Sequence, residues 1–264
     1  MAAVARQLRR HIINMTGAAA SGHPGGSLSA VEIVAALYFK ALRHNPVDPG
    51  WPERDRFILS KGHAAPVLYA ALAEAGYFPA EELTTLRKLG SRLQGHCDRG
   101  LTPGIEMTAG ALGQGLSYGL GVALAGRLNA LEYRVYVLLG DGECDEGQVW
   151  EAAMAAAHFK ADHLVAIVDN NGIQLDGWNK DIMNLEPLGQ KWAAFGWHVV
   201  EVNGHDIAAL LGAFAAAQQV TGRPTAILAH TIKGKGVSFM ENNPDFHGKA
   251  PNSAEVKIAL KELE

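Results

Sequence analysis

The sequence has few of the features that cross-link a protein or anchor it in a membrane. Only two cysteines occur among its 264 residues, with neither CxxC nor zinc-type spacing. A disulfide framework and a cysteine-bound metal are therefore not expected, and the composition suits a reducing, cytoplasmic environment. No apolar run reaches the ~18 residues of a membrane span. The N-terminus lacks the uninterrupted apolar stretch of a secretory signal, so we expect no association with membranes.

Strong charge and disorder are also missing. The 23 basic and 27 acidic residues give a net charge of −4, whereas nucleic-acid binding usually requires a basic patch and a high pI. Hydrophobic residues make up 48% of the chain and charged residues 19%, which excludes a disordered chain. Internal repeats and low-complexity linkers are absent. We therefore interpret residues 1–264 as a single domain with an N-terminal helical extension.

The chain alternates between apolar runs and helical stretches. Continuous Val/Ile/Leu runs separated by helices are typical of a parallel sheet covered on both faces. Strands are predicted at residues 56–60, 134–139, 164–168, 197–202 and 224–229. Helices are predicted at residues 2–16, 29–41, 64–75, 80–88, 110–129, 146–160, 188–195 and 207–219, with a short one at the C-terminus. Ser29 and Glu32 have capping-box spacing, which predicts where the second helix begins. The predicted fold class is α/β, with a doubly wound, mostly parallel sheet flanked by helices.

A glycine-rich acidic loop follows the predicted strand 134–139. Glycines at a strand end let the backbone approach a phosphate, and the next helix offers free N–H groups. A dinucleotide-binding GxGxxG pattern fails here, because Asp145 stands in place of the third glycine. The loop is crowded with carboxylates, at Asp141, Glu143, Asp145 and Glu146. They would repel a phosphate unless a divalent cation, Mg²⁺ or else Ca²⁺ or Mn²⁺, lay between them.

Further oxygen ligands for such a cation follow the next predicted strand. Neighbouring parallel strands lie about 4.8 Å apart, so the amide of Asn171 could reach the same ion as Asp141. A turn carbonyl near Ile173 could complete the protein's share of the ligands. Asp and Asn at strand ends are also common turn formers and helix caps. The two loops together predict a metal site more specifically than either loop alone.

Four histidines lie in glycine- and proline-rich loops, namely His23, His63, His96 and His247. Loops at the rim of a rigid sheet commonly carry function. Histidine supplies the neutral or cationic donors that a diphosphate or a sugar phosphate requires. A single histidine in a loop is more often a solvated side chain than a functional one. No pair of histidines has the i, i+4 spacing of a zinc site, which argues against zinc binding. Three other histidines, at helix or strand positions, are assigned to packing or to the surface: His11, His158 and His198.

GDG followed about thirty residues later by NN resembles the thiamine-diphosphate-binding motif. Further segments narrow the resemblance to the N-terminal, diphosphate-binding domain of the transketolase family. In chain order they are SGHPGGS (21–27), SKGHAAPVLYA (60–70), QGHC (94–97), TAGALGQGL (108–116), GDGECDEGQVWEA (140–152), DNNGIQLDG (169–177) and TIKGKGVSFMENNPDFHGKAP (231–251). They span nearly the whole chain, and it is their shared order that makes the resemblance specific.

The resemblance implies roles for individual residues. His23 would contact substrate, His63 the cofactor diphosphate, His96 the active site, and His247 both the donor sugar and the cofactor. As catalytic groups these four would act in acid–base steps. A backbone clamp on the aminopyrimidine and further cofactor contacts are implied at Gly110, Ala111, Leu112, Gly142, Asn171 and Lys233, with metal ligands at Asp141, Asn171 and Ile173. Two positions depart from the family: Cys97 replaces a frequent proline, and Gly25-Gly26 replace a serine.

The resemblance also implies an activity and a partner. Transketolases transfer a two-carbon ketol unit from a ketose to an aldose, here expected to be sugar phosphates, with thiamine diphosphate and Mg²⁺. Their activating glutamate belongs to a second, pyrimidine-binding domain, for which this sequence has no counterpart. The chain is therefore either a half-enzyme that joins a separate pyrimidine-domain chain or a fragment of a longer protein. We favour the natural half-enzyme, in an α2β2 assembly. The Gly/Ala-rich segment 110–129 is either a contact surface or an ordinary buried helix.

Three alternatives remain at this stage. The chain could be part of a deoxyxylulose-phosphate-synthase-like enzyme or of a 2-oxo acid dehydrogenase, with the same metal site and a different donor. It could also be a non-catalytic cofactor-binding module, although the four loop histidines argue against lost chemistry.

Overall fold

A computed structural model describes all residues, 1–264. Its centre is a five-stranded parallel sheet with the order β1-β2-β3-β5-β4. The strands are β1 (Arg56–Leu59), β2 (Val135–Gly140), β3 (Leu164–Asn170), β4 (His198–Asn203) and β5 (Thr225–His230). Helices cover both faces, so the predicted parallel α/β class is confirmed.

Ten α-helices connect and flank the strands. They are α1 (Ala2–Ala19), α2 (Pro24–Ser29), α3 (Val31–Ala36), α4 (Ala65–Glu74), α5 (Gln114–Leu128), α6 (Gly147–His158), α7 (Asn179–Ile182), α8 (Leu188–Ala194), α9 (Ile207–Gln219) and α10 (Ser253–Glu262). A π-helical turn, Leu37–Ala41, extends α3. Short 3₁₀ helices occupy Gly62–Ala64, Ala80–Thr85, Gly142–Asp145 and Pro244–His247.

The apolar runs are continuous because the central strands are buried on both faces. Along β2, Tyr136 and Leu138 face one hydrophobic core, while Val135, Val137 and Leu139 face the other. The first core is completed by α1, α3, α4, α9 and α10, and the second by α5, α6 and α8. Burying one such side chain contributes about 1.5–3 kcal/mol. The sheet is therefore a rigid support for the loops at its carboxyl edge.

The predicted capping box at Ser29 is wrong. Ser29 is the last residue of α2, and α3 begins at Val31 after an N-cap at Ala30 that makes no side-chain bond. The Ser29 hydroxyl instead donates to the carboxylate of Asp169 at 2.5 Å. A hydrogen bond to a charged carboxylate is stronger than one between a hydroxyl and a neutral helix N–H, so the Ser29 hydroxyl donates to Asp169. A capping box does occur at Asn252, where α10 begins.

Two predicted helices have different bounds in the structure. The helix expected over residues 110–129 begins only at Gln114, because Gly113 has a φ of 80° in the left-handed region that interrupts a helix. The helix expected over residues 80–88 is a 3₁₀ helix ending at Thr85, and Arg87 beyond it has a φ of 60°. Both segments therefore present loop residues where helix was predicted.

Candidate functional site

Loops from the carboxyl ends of β1, β2, β3 and β5 converge on a cavity of about 360 Å³. This is the edge at which open parallel sheets bind ligands. Of the residues singled out from sequence, all but two line it: His63, His96, Gly110, Leu112, Asp141, Gly142, Asn171, Ile173, Lys233 and His247. The exceptions are His23, which packs against the lining histidines, and Ala111, an exposed neighbour of Gly110 and Leu112.

Asp141 is a buried carboxylate without a bonded cationic side chain. It is 2% exposed, and its two oxygens accept hydrogen bonds from the backbone N–H groups of Gly142 (2.8 Å) and Gly172 (2.5 Å). Burial, followed by the nearby charge of Asp169, raises the pKa of Asp141 to about 6. A cation bound beside this carboxylate would relieve both effects.

Asn171 and Ile173 lie beside Asp141 because β2 and β3 pair in register, with Gly140 opposite Asp169. The Asn171 amide oxygen accepts from the N–H of Ile173 at 3.1 Å. The side-chain oxygens of Asp141 and Asn171 and the carbonyl oxygen of Ile173 each keep a free lone pair. A carboxylate, an amide and a carbonyl oxygen are the kinds of ligand that Mg²⁺ combines with the oxygens of a phosphate, so the chemistry of these residues fits such an ion. No group of three or more His, Cys, Asp or Glu side chains is arranged to hold a metal ion, so a cation here would need further ligands from a bound phosphate or water.

Two buried lysines place positive charge in the cavity. Lys233 donates to the carbonyl of Ile173 (3.1 Å) and to Nδ1 of His247 (2.8 Å), and burial followed by repulsion from Lys61 lowers its pKa to about 8. Lys61 pairs with Asp169 and donates to the carbonyl of Gly26 at 2.9 Å. Lys233 therefore has no carboxylate of its own, and its charge is available to an anionic ligand.

The four loop histidines form one cluster, which we call the histidine cluster: His23, His63, His96 and His247. The ring centroid of His23 lies 5.4 Å from that of His63, 6.1 Å from that of His96 and 5.6 Å from that of His247. The rings of His63 and His247 are 4.8 Å apart. Four loops that are distant in sequence thus bring their imidazoles together.

The histidine cluster is electrically neutral at pH 7. Burial, then Arg87, lowers the pKa of His23 to about 4, and burial, then Lys233, lowers that of His247 to about 3. Burial also lowers the pKa of His63 well below its usual range, and that of His96 to a smaller extent. Neutral imidazoles can both donate and accept hydrogen bonds, which suits contact with hydroxyl and carbonyl groups.

Glu143 has a role that sequence reasoning missed. The sequence groups Glu143 with the other acids of a predicted metal loop. In the structure its carboxylate accepts hydrogen bonds from the hydroxyl of Ser60 and from the N–H groups of Gly140 and Gly113, each N–H at 2.9 Å. It therefore joins the ends of β1 and β2 to the segment that carries Gly110 and Leu112. Glu143 is one of several acids in this loop, and no local sequence pattern distinguishes it from the others.

Lys61, Asp169 and Arg87 were also missed. Lys61 and Asp169 lie within the quoted segments 60–70 and 169–177, so their positions were visible while their pairing was not. Arg87 contacts His23 from a segment predicted to be helical. The pair of Lys61 and Asp169 could have been predicted from one feature: residues of opposite charge lie at the carboxyl ends of two strands of the same parallel sheet.

The fold and the site define a cofactor-binding α/β domain that presents a phosphate- and metal-compatible cavity. The family profile "Transketolase, thiamine diphosphate binding domain" matches residues 1–263. This chain therefore belongs to the transketolase family, as its thiamine diphosphate-binding domain.

Individual relatives agree with this assignment. The 6-deoxy-6-sulfo-D-fructose transketolase subunit SqwG of Clostridium sp. (strain MSTE9) is 48% identical over 98% of this chain and 94% of its own length. An apulose-4-phosphate transketolase subunit of Actinobacillus succinogenes is 45% identical with the same coverage. The chain thus corresponds to the N-terminal subunit of a split transketolase, a transferase of the ketol-transfer type.

Solved structures show the same fold. Transketolase from Leishmania mexicana superposes with a TM-score of 0.94 at 33% identity, over 99% of this chain and 41% of the other. The Campylobacter jejuni enzyme gives 0.93 at 32% identity, over 98% and 42%. The chain spans about 40% of these proteins' length. None of its helices combines the length and apolarity needed to cross a membrane.

Proposed function

We propose that this chain works with a separate pyrimidine-domain chain to transfer a two-carbon ketol unit between sugar phosphates, using thiamine diphosphate and Mg²⁺. The observation that carries the proposal is the convergence of Asp141, Lys233 and three of the clustered histidines on one cavity, with His23 packed against those three rings. A metal-bound diphosphate and a polyhydroxylated substrate require these groups side by side.

Asp141, Asn171 and the carbonyl of Ile173 would hold the metal. The buried carboxylate of Asp141, with its raised pKa, is stabilised by a cation at this position. Lys233 and His63 would then contact the diphosphate, together with the backbone of Gly142. The backbone segment of Gly110, Ala111 and Leu112 would clamp the aminopyrimidine. Nothing lies within 4 Å of where a side chain on Gly110 would begin.

Thiamine diphosphate, when bound, supplies the carbanion chemistry that breaks and forms the carbon–carbon bond. The chain's own residues bind, orient and move protons. His247 accepts a hydrogen bond at Nδ1 from Lys233, so its proton sits on Nε2. In our proposal the neutral rings of His23, His63, His96 and His247 donate to and accept from sugar hydroxyl and carbonyl groups, and serve as general acids and bases.

The partner chain would cover the mouth of the cavity. Two exposed apolar side chains line the cavity, Leu112 and Leu175, and three more follow Leu175 along the chain: Trp178, Ile182 and Met183. Leu175 is 62% exposed. An exposed apolar patch beside a polar cavity favours docking of a second chain. The names of the relatives as transketolase subunits support the same arrangement.

Helix α5 has features of both a buried helix and a contact surface, the two interpretations of the Gly/Ala-rich segment 110–129. Gly119 packs so closely on β2 that a Cβ there would lie 2.5 Å from the side chain of Val137. On the other side of the helix, Gly121 and Ala125 are exposed. We propose that this exposed side contributes to assembly, and that the active form is a cytoplasmic α2β2 heterotetramer.

The test is a donor and acceptor screen on the chain co-expressed with a pyrimidine-domain partner. Ketose phosphates should be screened beside 6-deoxy-6-sulfo-D-fructose and apulose 4-phosphate, since the relatives' names refer to those sugars. Ketol transfer is expected from the pair with cofactor and Mg²⁺, and not from this chain alone. Turnover by the lone chain would show that the partner is not needed. Light scattering on the pair distinguishes α2β2 from smaller assemblies.

A further inference from the structure

Arg87 lies at the edge of the histidine cluster, on the turn between the 3₁₀ helix Ala80–Thr85 and the loop that carries His96. Its backbone has a φ of 60°, in the left-handed region that disfavours residues with a side chain. The N–H of Arg87 donates to the carbonyl of Leu93 at 2.8 Å, which closes the turn. Backbone strain of this kind concentrates at functional sites.

The guanidinium of Arg87 points at His23. Nη1 donates to the hydroxyl of Ser21 at 3.1 Å, and Nη2 donates to Nδ1 of His23 at 3.4 Å and to the carbonyl of Gly95 at 3.5 Å. A Cβ on Gly95 would lie 2.9 Å from the guanidinium carbon, so glycine leaves the room that the group occupies. Arg87 forms no ion pair with a carboxylate in this structure, so nothing draws it away from the ring.

This contact decides where the proton of His23 resides. A guanidinium donates hydrogen bonds and cannot accept them, so Nδ1 of His23 is the acceptor and the neutral ring carries its proton on Nε2. The edge of the ring that bears Nε2 lies toward Gly248, with 3.8 Å between Nε2 and the position of a Cβ there. Lys233 places the proton of His247 in the same way, from a different loop.

We propose that Arg87 is a positioning residue of the ketol-transfer site, which holds His23 as the Nε2–H tautomer so that the ring donates a hydrogen bond to the sugar. The identity of the acceptor rests on the function proposed above, whereas the tautomer does not. The charged and titratable groups that face His23 are Arg87, His63, His96, His247 and Lys233.

The direct test is NMR of the full chain labelled with ¹⁵N-histidine, in which Nδ1 and Nε2 signals report the tautomer. The His23 signals are assigned with the variant His23→Gln. In the wild-type chain we expect a protonated Nε2 and an unprotonated Nδ1. In Arg87→Ala we expect a mixture of tautomers and a His23 pKa that rises from about 4 toward 6.5. Arg87→Lys, which keeps a charged donor, should restore the wild-type tautomer.

Arg92→Ala is the matched control, because Arg92 is on the same loop but pairs with Glu82 at 3.0 Å. It should leave the His23 signals unchanged. An unchanged tautomer in Arg87→Ala would overturn the proposal, whatever the titration does. If that variant does not fold, Arg87→Met replaces it, since methionine keeps much of the side-chain volume and has no donor. A mixture of His23 tautomers in Arg87→Met supports the proposal, and the wild-type tautomer contradicts it.

Kinetics of the assembled enzyme give the second readout. Arg87→Ala should lower kcat/KM for the donor sugar by about tenfold, the effect of one hydrogen bond, and leave the affinity for thiamine diphosphate unchanged. A merely structural role would weaken both. Failure of the proposed function looks different: the tautomer would still depend on Arg87, but no variant, including the wild type, would transfer a ketol unit.

Discussion

Two groups of polar side chains lie beside the carboxyl ends of the strands, and they differ in how their charges are balanced. In the first, which we call the paired cluster, Asp169 accepts hydrogen bonds from Lys61, Ser29 and Thr231. Burial alone would raise the pKa of Asp169, but the charge and hydrogen bond of Lys61 outweigh it and the pKa is lowered. The second group comprises Asp141 and the histidine cluster, where burial dominates.

The contrast shows which groups serve the fold and which are available for a ligand. The paired cluster joins α2, β3 and the loops after β1 and β5, and its charges are neutralised within the chain. In the second group the pKa of Asp141 is raised to about 6 and that of His247 is lowered to about 3, so the ordinary charged forms are disfavoured. Perturbed pKa values in a cavity mark a candidate functional site.

The largest effect is expected at Asp141. Asp141→Ala should abolish Mg²⁺-dependent binding of thiamine diphosphate by the assembled enzyme without unfolding it, because it removes the anionic metal ligand. Asn171→Ala, which removes a neutral ligand, should weaken binding less. Calorimetric titration with cofactor and Mg²⁺ is the measurement. Glu151→Ala is the control, since Glu151 is an exposed acid on α6 that does not line the cavity. Unchanged affinity in Asp141→Ala would refute the metal assignment.

The paired cluster should respond in stability. Lys61→Ala leaves Asp169 as a buried charge without its cation, so the free energy of unfolding should fall by about 3–5 kcal/mol. Denaturant unfolding of the variant, beside the exposed control Lys88→Ala, measures this. The double change Lys61→Met with Asp169→Leu should cost less than the single one, because no unpaired charge remains. A single variant as stable as wild type would contradict the comparison.

The histidine cluster should respond in catalysis. His23→Ala in the assembled enzyme should lower kcat/KM for the donor sugar by about 10²–10⁴-fold, as expected for a catalytic acid or base. Affinity for thiamine diphosphate should change much less, because His23 does not line the cavity with Asp141 and Lys233. The measurement is kcat/KM for the donor sugar at saturating cofactor. A wild-type value in His23→Ala would show that His23 has a packing role only.

The smallest effect concerns pH. The pKa of His23 is about 4 in the folded chain and 6.5 in a model peptide, so the unfolded chain binds more protons between these values. Its contribution to stability is complete above pH 6.5 and is lost as the pH falls toward 4. His23→Gln should therefore lose less stability than wild type between pH 7 and 5. His158→Gln, on the surface of α6, should behave like wild type. Equal slopes for His23→Gln and wild type would show that His23 makes no such contribution.

The sequence predicted the elements whose causes are local. Continuous apolar runs located all five strands, and the short motifs that follow them placed Asp141, Asn171 and Lys233 at one edge. Parallel pairing then makes their convergence a geometric consequence. The sequence misplaced the start of α3, because the hydroxyl of Ser29 binds a carboxylate 140 positions away, and no local pattern reveals such a competitor.

What the sequence determined by itself is therefore the sheet, the family motifs and the identity of most candidate site residues, since hydrophobic periodicity and turn chemistry act over a few residues. Which charges are paired was decided only by the tertiary structure. Lys61 and Asp169 are 108 positions apart, and Ser60 and Glu143 are 83 apart. Arg87 reaches His23 across 64 positions, from a turn with strained backbone. Coulombic and hydrogen-bond energies depend on distances and burial that exist only after folding. Two acids that look alike in one loop therefore differ in the structure: Asp141 is a candidate metal ligand, and Glu143 holds neighbouring segments together.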